Sequence, residues 1–305
     1  MENMERIVGI DIGGTNFRIG TVSRDGVLSD FRKVPVRSVF HSSDAMKDLA
    51  DYLKEYCDKA AKEAAAIKAV CIGFPATLDR DRRTVLQAPN IAFMENLPVT
   101  EVLTKELNIP VFIERDVTLA LCYDMKKYQL PDDGIISGFY FGTGVGNAIF
   151  INGRPLIGKN GTAGELGHIP VEGSNLVCGC GNVGCLENLA GGKYLAHLQA
   201  ESFPETPIGR MFSEHGHEPV LMDFIDHMAM AAATEINILN PDYNLVGGGL
   251  PSMADFPKDL LVERILFHTR KPYPAEDLDI IFTGDTPEKC VIGAAYFAFS
   301  KLAEQ

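Results

Sequence analysis

Ile7 to Ile12 forms an apolar run that ends in Asp11-Ile12-Gly13-Gly14-Thr15-Asn16, and the β-type pattern resumes from Phe17 to Val22. Strand, glycine turn, strand predicts a hairpin. A dinucleotide-binding fold needs a helix directly after the glycines, so this alternation argues against one. From Ser43 to Ala64, Met46, Leu49, Ala50, Leu53, Tyr56, Cys57 and Ala60 recur at helical spacing, which predicts an amphipathic helix capped by Ser42 or Ser43. A third strand is expected near Phe31 to Val36, and Ala69 to Phe74 reads as a buried strand. A polar loop at Asp79 to Arg83, the run Gln87-Ala88-Pro89-Asn90 and a second helix then lead to a strand at Val111 to Glu114. Its end, Arg115-Asp116, opens a helix through about Lys126. This is an α/β layer.

The same order starts again at Gly134 to Gly142. A strand, the cluster Gly142-Thr143-Gly144-Val145-Gly146, a strand at Asn147 to Ile151, an Asn152-Gly153 turn and a strand at Arg154 to Ile157 follow one another. Further elements are a helix from about Val220 to Leu239, a strand at Tyr243 to Val246 ending in Gly247-Gly248-Gly249, a helix from about Pro257 to Arg270 and a strand at Asp279 to Phe282. Two strand–glycine–strand units predict a duplicated fold with a cleft between its halves. The last helix, from about Pro287 to Leu302, carries Gly293, Ala294 and Ala295 for close packing and is expected to cross back to the first half. The expected domains are 1–117 plus 288–305, and 118–287.

Composition narrows the function. The 305 residues carry a net charge of −13, with no clustered Lys/Arg field of the kind that holds nucleic acid or an anionic membrane. Neither a signal-like N-terminus nor an apolar run of ~20 residues is present, so the chain reads as cytoplasmic. Of seven cysteines, Cys178, Cys180 and Cys185 lie close together while Cys57, Cys71, Cys122 and Cys290 sit apart in apolar surroundings. That distribution fits a metal site plus core thiols better than a disulfide framework.

The candidate chemistry gathers at strand ends. Asp11 precedes Gly13, Gly14, Thr15 and Asn16; glycines let backbone N–H groups converge on phosphate oxygens, and a strand-end carboxylate holds Mg²⁺ or its waters. A tight hairpin whose glycines only supply positive φ would give the same run. Thr143 and Gly144 repeat the arrangement, and Gly247, Gly248 and Gly249 would pass under an adenosine. The Walker phosphate-loop pattern is missing, so phosphate would be held by backbone and metal. Asp116 is placed to accept a proton from a hydroxyl attacking a γ-phosphate, with Arg115 helping to keep it ionised; a helix N-cap is the plainer reading. His168 with Cys178, Cys180 and Cys185 makes a closed Cys₃His set suited to structural zinc, with a free-thiol loop as the alternative. Glu165 and Glu187 flank that set and are suited to accept hydrogen bonds from a polyol. His41, His197, His215, His217, His227 and His268 show no comparable partners.

Together these runs resemble the ROK group of repressors, open reading frames and sugar kinases over nearly the whole chain. The resemblance rests on DIGGTN at 11–16, Pro89-Asn90, Asp116, Gly142 to Gly146, Glu165-Leu166-Gly167-His168, CGCGNVGCLE at 178–187 and Gly247 to Gly249. It implies an α/β, actin-like ATPase (ribonuclease H-like) fold, duplicated into two domains with an interdomain cleft, and ATP- and Mg²⁺-dependent phosphorylation of a hexose, usually at O6. It further implies Asp116 as base, Asn90, Asp116, Glu165, His168 and Glu187 on the sugar, a structural zinc and a homodimer. Glu114-Arg115-Asp116 departs from the Glu-Asn-Asp of family glucokinases. With Phe74-Pro75-Ala76 and Met253-Ala254-Asp255-Phe256-Pro257 it resembles the allose-phosphorylating branch, which makes Arg115 a candidate for reading the sugar. The group's repressors carry a helix-turn-helix segment ahead of the first glycine turn, where only ten residues stand here, so a regulator is the less expected role.

Overall fold

The computed structural model describes residues 5–62 and 66–304. Strands β1 (Glu5–Ile12), β2 (Asn16–Ser23) and β3 (Leu28–Pro35) form an antiparallel meander. Helix α1 (Ala45–Lys62), strand β4 (Ala66–Phe74), a small hairpin of β5 (Thr77–Leu78) and β6 (Val85–Gln87), and helix α2 (Val99–Leu107) come next. Strand β7 (Val111–Arg115) then runs straight into helix α3 (Asp116–Lys127). The sheet order is β3-β2-β1-β4-β7, with β1, β4 and β7 parallel. The expected third strand starts earlier than Phe31. The helix expected to reach Ala64 is described to Lys62; residues 63 and 64 lie outside the described part.

Capping explains where α1 begins. Asp44, rather than Ser42 or Ser43, accepts the Lys47 N–H at 3.0 Å, and the Asp48 carboxylate reaches back to the N–H groups of His41 and Ser42 at 2.8 and 2.7 Å. Period two along β1 then divides its side chains between two faces. Val8, Ile10 and Ile12 share a core with Met46, Leu49 and Leu53 of α1, leaving Gly9 and Asp11 on the other face.

A second sheet repeats the plan. Strands β8 (Ile135–Phe141), β9 (Val145–Ile151) and β10 (Arg154–Pro155) are antiparallel. After helices α4 (Glu187–Ala190), α5 (Gly192–Ser202), α6 (Met211–His215) and α7 (Pro219–Leu239), strand β11 (Tyr243–Gly247) joins β8 in parallel. Helix α8 (Lys258–His268) and strand β12 (Ile280–Phe282) complete the order β10-β9-β8-β11-β12. Strand directions match the first sheet position by position, as the two glycine turns predicted. Proline at the first position of α7 and Asn240 at φ 47° after its last turn fix both ends of that helix.

Helix α9 (Lys289–Ala303) returns to the first sheet and packs on β1, β4 and α3. The chain forms two compact units, Met1–Leu130 with Ile157–Ala163 and Thr286–Gln305, and Pro131–Leu156 with Gly164–Asp285. The expected boundary at 117 thus falls too early. Helix α3 belongs with the first unit because Gly293 of α9 lies against it so closely that a Cβ there would sit 1.9 Å from the Leu119 carbonyl oxygen. A buried Lys289–Asp124 ion pair at 2.7 Å joins the same two helices. Residues 157–163 also lie with the first unit, a return that no local pattern announces. Among the described residues, no helix is long and apolar enough to cross a membrane.

Candidate active site and metal centre

Three strand ends of the first unit bring its charged residues together. Asp11 is in register with Arg18 on β2 and with Gly73 on β4. A Cβ at Gly73 would lie 3.6 Å from the Asp116 Cα, so Asp116 stands over the position beside Asp11. Arg18 meets Asp11 at 2.6 Å, a partner missed by motif reading because it depends on hairpin register. The Arg18 Nε is buried with no hydrogen-bond partner among the described residues.

Asp116 is the first residue of α3, one position past the N-cap, and its carboxylate accepts the Val117 N–H at 2.8 Å. Its burial, then the Asp11 charge, push its pKa up to about 7, against the opposing pull of the Val117 N–H and of Arg115. Arg115 does favour the ionised form of Asp116, as expected, but desolvation outweighs its pull. A carboxyl that titrates near neutrality is matched to exchanging a proton with a hydroxyl.

The first glycine turn closes through Gly13 N–H to Asn16 O at 2.9 Å, and a Cβ on Gly14 would approach the Asn90 carbonyl oxygen to 3.1 Å. Neither Gly13 nor Gly14 has positive φ, so close approach, not handedness, selects glycine here. Thr15 and Asn90 are exposed beside it. Arg115 turns its guanidinium to the Ala163 carbonyl oxygen at 2.7 Å. Its neighbour Glu114 is fully buried and paired at 2.9 Å with Arg82, a residue that sequence reading left in a polar loop.

In the second unit Glu187 opens α4 and accepts the Val145 N–H at 3.0 Å. A Cβ on Gly144 would fall 2.2 Å from the same carboxylate, and Thr143 O accepts the Lys193 N–H at 3.1 Å. This turn is thus built against the α4–α5 corner, with open space at Gly142. In the last triplet, Gly247 leaves its Cβ position to Thr283 and Tyr140, Gly248 takes φ +97° against Phe141, and Gly249 faces open space.

Glu165 immediately precedes a short helical turn that carries His168. The His168 Nδ1 lies 3.6 Å from Cys178 Sγ, Cys180 and Cys185 are 3.6 Å apart, and all four ligand atoms fall within 4.8 Å of one another. Zinc–sulfur bonds of ~2.3 Å in a tetrahedron give edges close to these separations, so the residues fit a closed Cys₃His site. Asn182 N–H lowers the Cys180 pKa, whereas burial and the neighbouring sulfurs push Cys185 up to about 12, a crowding that a bound cation relieves. The other ring nitrogen, Nε2, lies 3.6 Å from Glu165. Of the remaining cysteines, Cys290 is only partly buried and points its thiol at the Asp116 carbonyl oxygen, 3.6 Å away. His268 does have a partner, Asp226 at 2.8 Å, supplied by the packing of α7 on α8.

Comparison with known proteins extends over the whole architecture. The family described as the ROK family matches residues 7–301. A glucokinase of Thermotoga maritima is 28% identical over 283 residues, covering 86% of this chain and 87% of that protein. An N-acetyl-D-glucosamine kinase of Salmonella newport is 28% identical over 280 residues, covering 85% and 89%. The crystal structure of a ROK family glucokinase from Streptomyces griseus in complex with glucose and AMPPNP is 25% identical, with a TM-score of 0.74 and coverage of 97% and 99%.

The displaced pKa of Asp116 makes its ionisation a cost to the folded state. That cost is absent below about pH 4, where the carboxyl is protonated folded or unfolded, and complete above about pH 7. Asp116→Asn should therefore raise the melting temperature at about pH 8, by ~2–4 °C per kcal/mol relieved, and converge on the parent near pH 4. A melting temperature unchanged or lowered at pH 8 would show that the carboxyl is not held against its ionisation.

Proposed function

The chain belongs to the ROK family, and from that premise we propose that it is an ATP-dependent hexose kinase that phosphorylates the 6-hydroxyl of an aldohexose. The observation that carries the reading is Asp116, a carboxyl at the head of α3 with its pKa at about 7, beside Asp11 and the first glycine turn. As the general base it accepts the O6 proton while O6 attacks the γ-phosphorus of ATP; the phosphorus–O6 bond forms as the bond to the leaving ADP oxygen breaks. Asn90, Glu165, His168 and Glu187 supply the polar groups suited to hexose hydroxyls. Gly13, Gly14, Thr15, Asn16, Thr143 and Gly144 take the phosphates, and Gly247, Gly248 and Gly249 leave room for the adenosine.

Mg²⁺ takes oxygen ligands and keeps several of its waters, which suits the ion-paired Asp11 as a carboxylate that orients those waters. When bound, the ion offsets charge on the β- and γ-phosphates. Zinc would be held by His168, Cys178, Cys180 and Cys185, tying the fold of the Glu165 to Glu187 segment to metal occupancy.

D-allose is the proposed substrate, on the strength of Arg115 where family glucokinases resemble Asn. Epimers differ in the direction of one hydroxyl, and leaving a buried polar group unpaired costs ~1–3 kcal/mol, roughly ten- to hundredfold in kcat/KM. Glucose and N-acetylhexosamines are the nearest competitors, given the relatives' activities.

A coupled ADP-release assay with Mg-ATP across aldohexoses and N-acetylhexosamines should give its highest kcat/KM with D-allose, with the product phosphorylated at O6. Asp116→Asn should retain fold and metal content while losing roughly 10²–10⁴-fold in turnover. Full activity in that variant would refute the base, and release from none of the sugars would refute the kinase. Chelation of zinc should weaken hexose affinity, measured calorimetrically, more than ATP affinity. Equal losses would indicate general unfolding and contradict the proposed coupling.

A further inference from the structure

Resting on the kinase reading, we propose that Arg82 and Arg115 are positioning residues: they clasp the strap Ile157–Ala163 beside the base, and the strap so fixed sets hexose selectivity. Arg115 then acts on the sugar through the strap rather than by touching a hydroxyl.

The strap is a built element. After β10 the chain enters the first unit at Ile157 and leaves it after Ala163. It closes on itself through Ala163 N–H to Ile157 O at 3.1 Å, with Gly158 at φ +76°. Two guanidinium groups then hold two of its carbonyls. Arg82 donates to Gly161 O at 3.0 Å and Arg115 donates to Ala163 O at 2.7 Å.

Both arms hang on one buried carboxylate. Glu114 is 0% exposed, takes the Arg82 Nε at 2.9 Å, and accepts the Arg115 backbone N–H at 2.9 Å. Arg82 is itself held in the left-handed region at φ 55° and donates to Asp79 O at 3.1 Å. The strap fits the clasp closely: Gly161 has φ +82°, and a Cβ there would lie 2.4 Å from Leu78 O and 2.8 Å from the Arg82 guanidinium.

A buried ion pair is a weak source of net stability, and its best-attested use is to fix one arrangement among several. Here the arrangement fixed is that of the strap against the residue preceding Asp116. Asparagine at 115 is shorter and brings no guanidinium to Ala163, so the departure at this position changes how the strap is held.

Four substitutions separate this role from direct contact. Arg82→Lys keeps a cation for Glu114 but loses the fork that also reaches Gly161; Gly161→Ala leaves every charge in place and displaces the strap; Arg115→Met removes the other arm, with Arg115→Lys as the conservative partner. Hydrogen–deuterium exchange across residues 157–163 and steady-state kinetics with D-allose, D-glucose and Mg-ATP are the readouts. Arg82→Lys and Gly161→Ala should each speed exchange in the strap. Each should also raise the hexose KM roughly tenfold and shift the allose-to-glucose kcat/KM ratio, with ATP KM unchanged, and the double variant should be no worse than either single one. Arg115→Lys should recover part of what Arg115→Met loses.

If Arg115→Met alone moves the sugar ratio while Arg82→Lys and Gly161→Ala leave it and the exchange unchanged, Arg115 reads the sugar directly and the clasp is overturned. Equal rises in hexose and ATP KM would likewise overturn it, as general loosening. A parent protein that turns over no hexose refutes the kinase reading and with it the selectivity role, while the exchange measurement still decides whether the two arginines hold the strap.

Discussion

Helix α9 lies backbone against backbone on strand β1 and helix α3, and this contact is possible only where Cβ atoms are missing. A Cβ on Gly9 would sit 2.0 Å from the Val291 carbonyl oxygen, and one on Gly293 would sit 1.9 Å from that of Leu119. The same helix contributes Lys289 to a buried pair with Asp124 of α3. Overpacking a close contact of this kind costs ~1–3 kcal/mol, and here it would also move the elements that carry Asp11 and Asp116. The placing of the two elements that carry Asp11 and Asp116 therefore depends on a helix from the far end of the chain.

An acidic chain of net charge −13 places its cations selectively around these carboxylates. Arg18 pairs with Asp11 and Arg82 with Glu114, each within a few ångströms. Asp116 receives the Val117 N–H and a smaller pull from Arg115, and desolvation outweighs both in its titration. One carboxyl is thus kept near neutrality among others that are paired, the pattern expected where one group exchanges a proton and its neighbours organise charge. In the second unit the same economy appears with sulfur: three cysteines and one histidine converge at a spacing that suits a single cation.

Much of this was legible in the sequence. Apolar alternation located β1, β2, β4 and β7, helical spacing located α1, α7 and α9, and the repeated glycine turns foretold that the second sheet copies the first. The Cys₃His set was legible because its members are close in sequence. Several missed contacts join partners far apart, Arg82 and Glu114 by 32 positions and Arg115 and Ala163 by 48, while Arg18 and Asp11 meet only through hairpin register. No local propensity encodes such pairs. Positive φ explains only part of the turn glycines: Gly153 and Gly248 take it, whereas Gly14, Gly144 and Gly247 serve close approach. Helix α5 leaves little hydrophobic period to read because Gly192, Ala196, Ala200 and Ser202 dilute its apolar positions.

In the proposed reaction the partly buried Asp116 carboxyl at the head of α3, its pKa pushed up to about 7, is the base for the phosphorylated hydroxyl. The pH dependence of kcat/KM for the hexose tests it most directly, because that ratio reports the ionisation of the free enzyme. Activity should climb with pH on a single-proton limb with an apparent pKa of about 7 and then level off, since only the ionised Asp116 accepts the proton. A limb at ordinary carboxylate values near 4, or a profile flat from about pH 5 to 8, would contradict it.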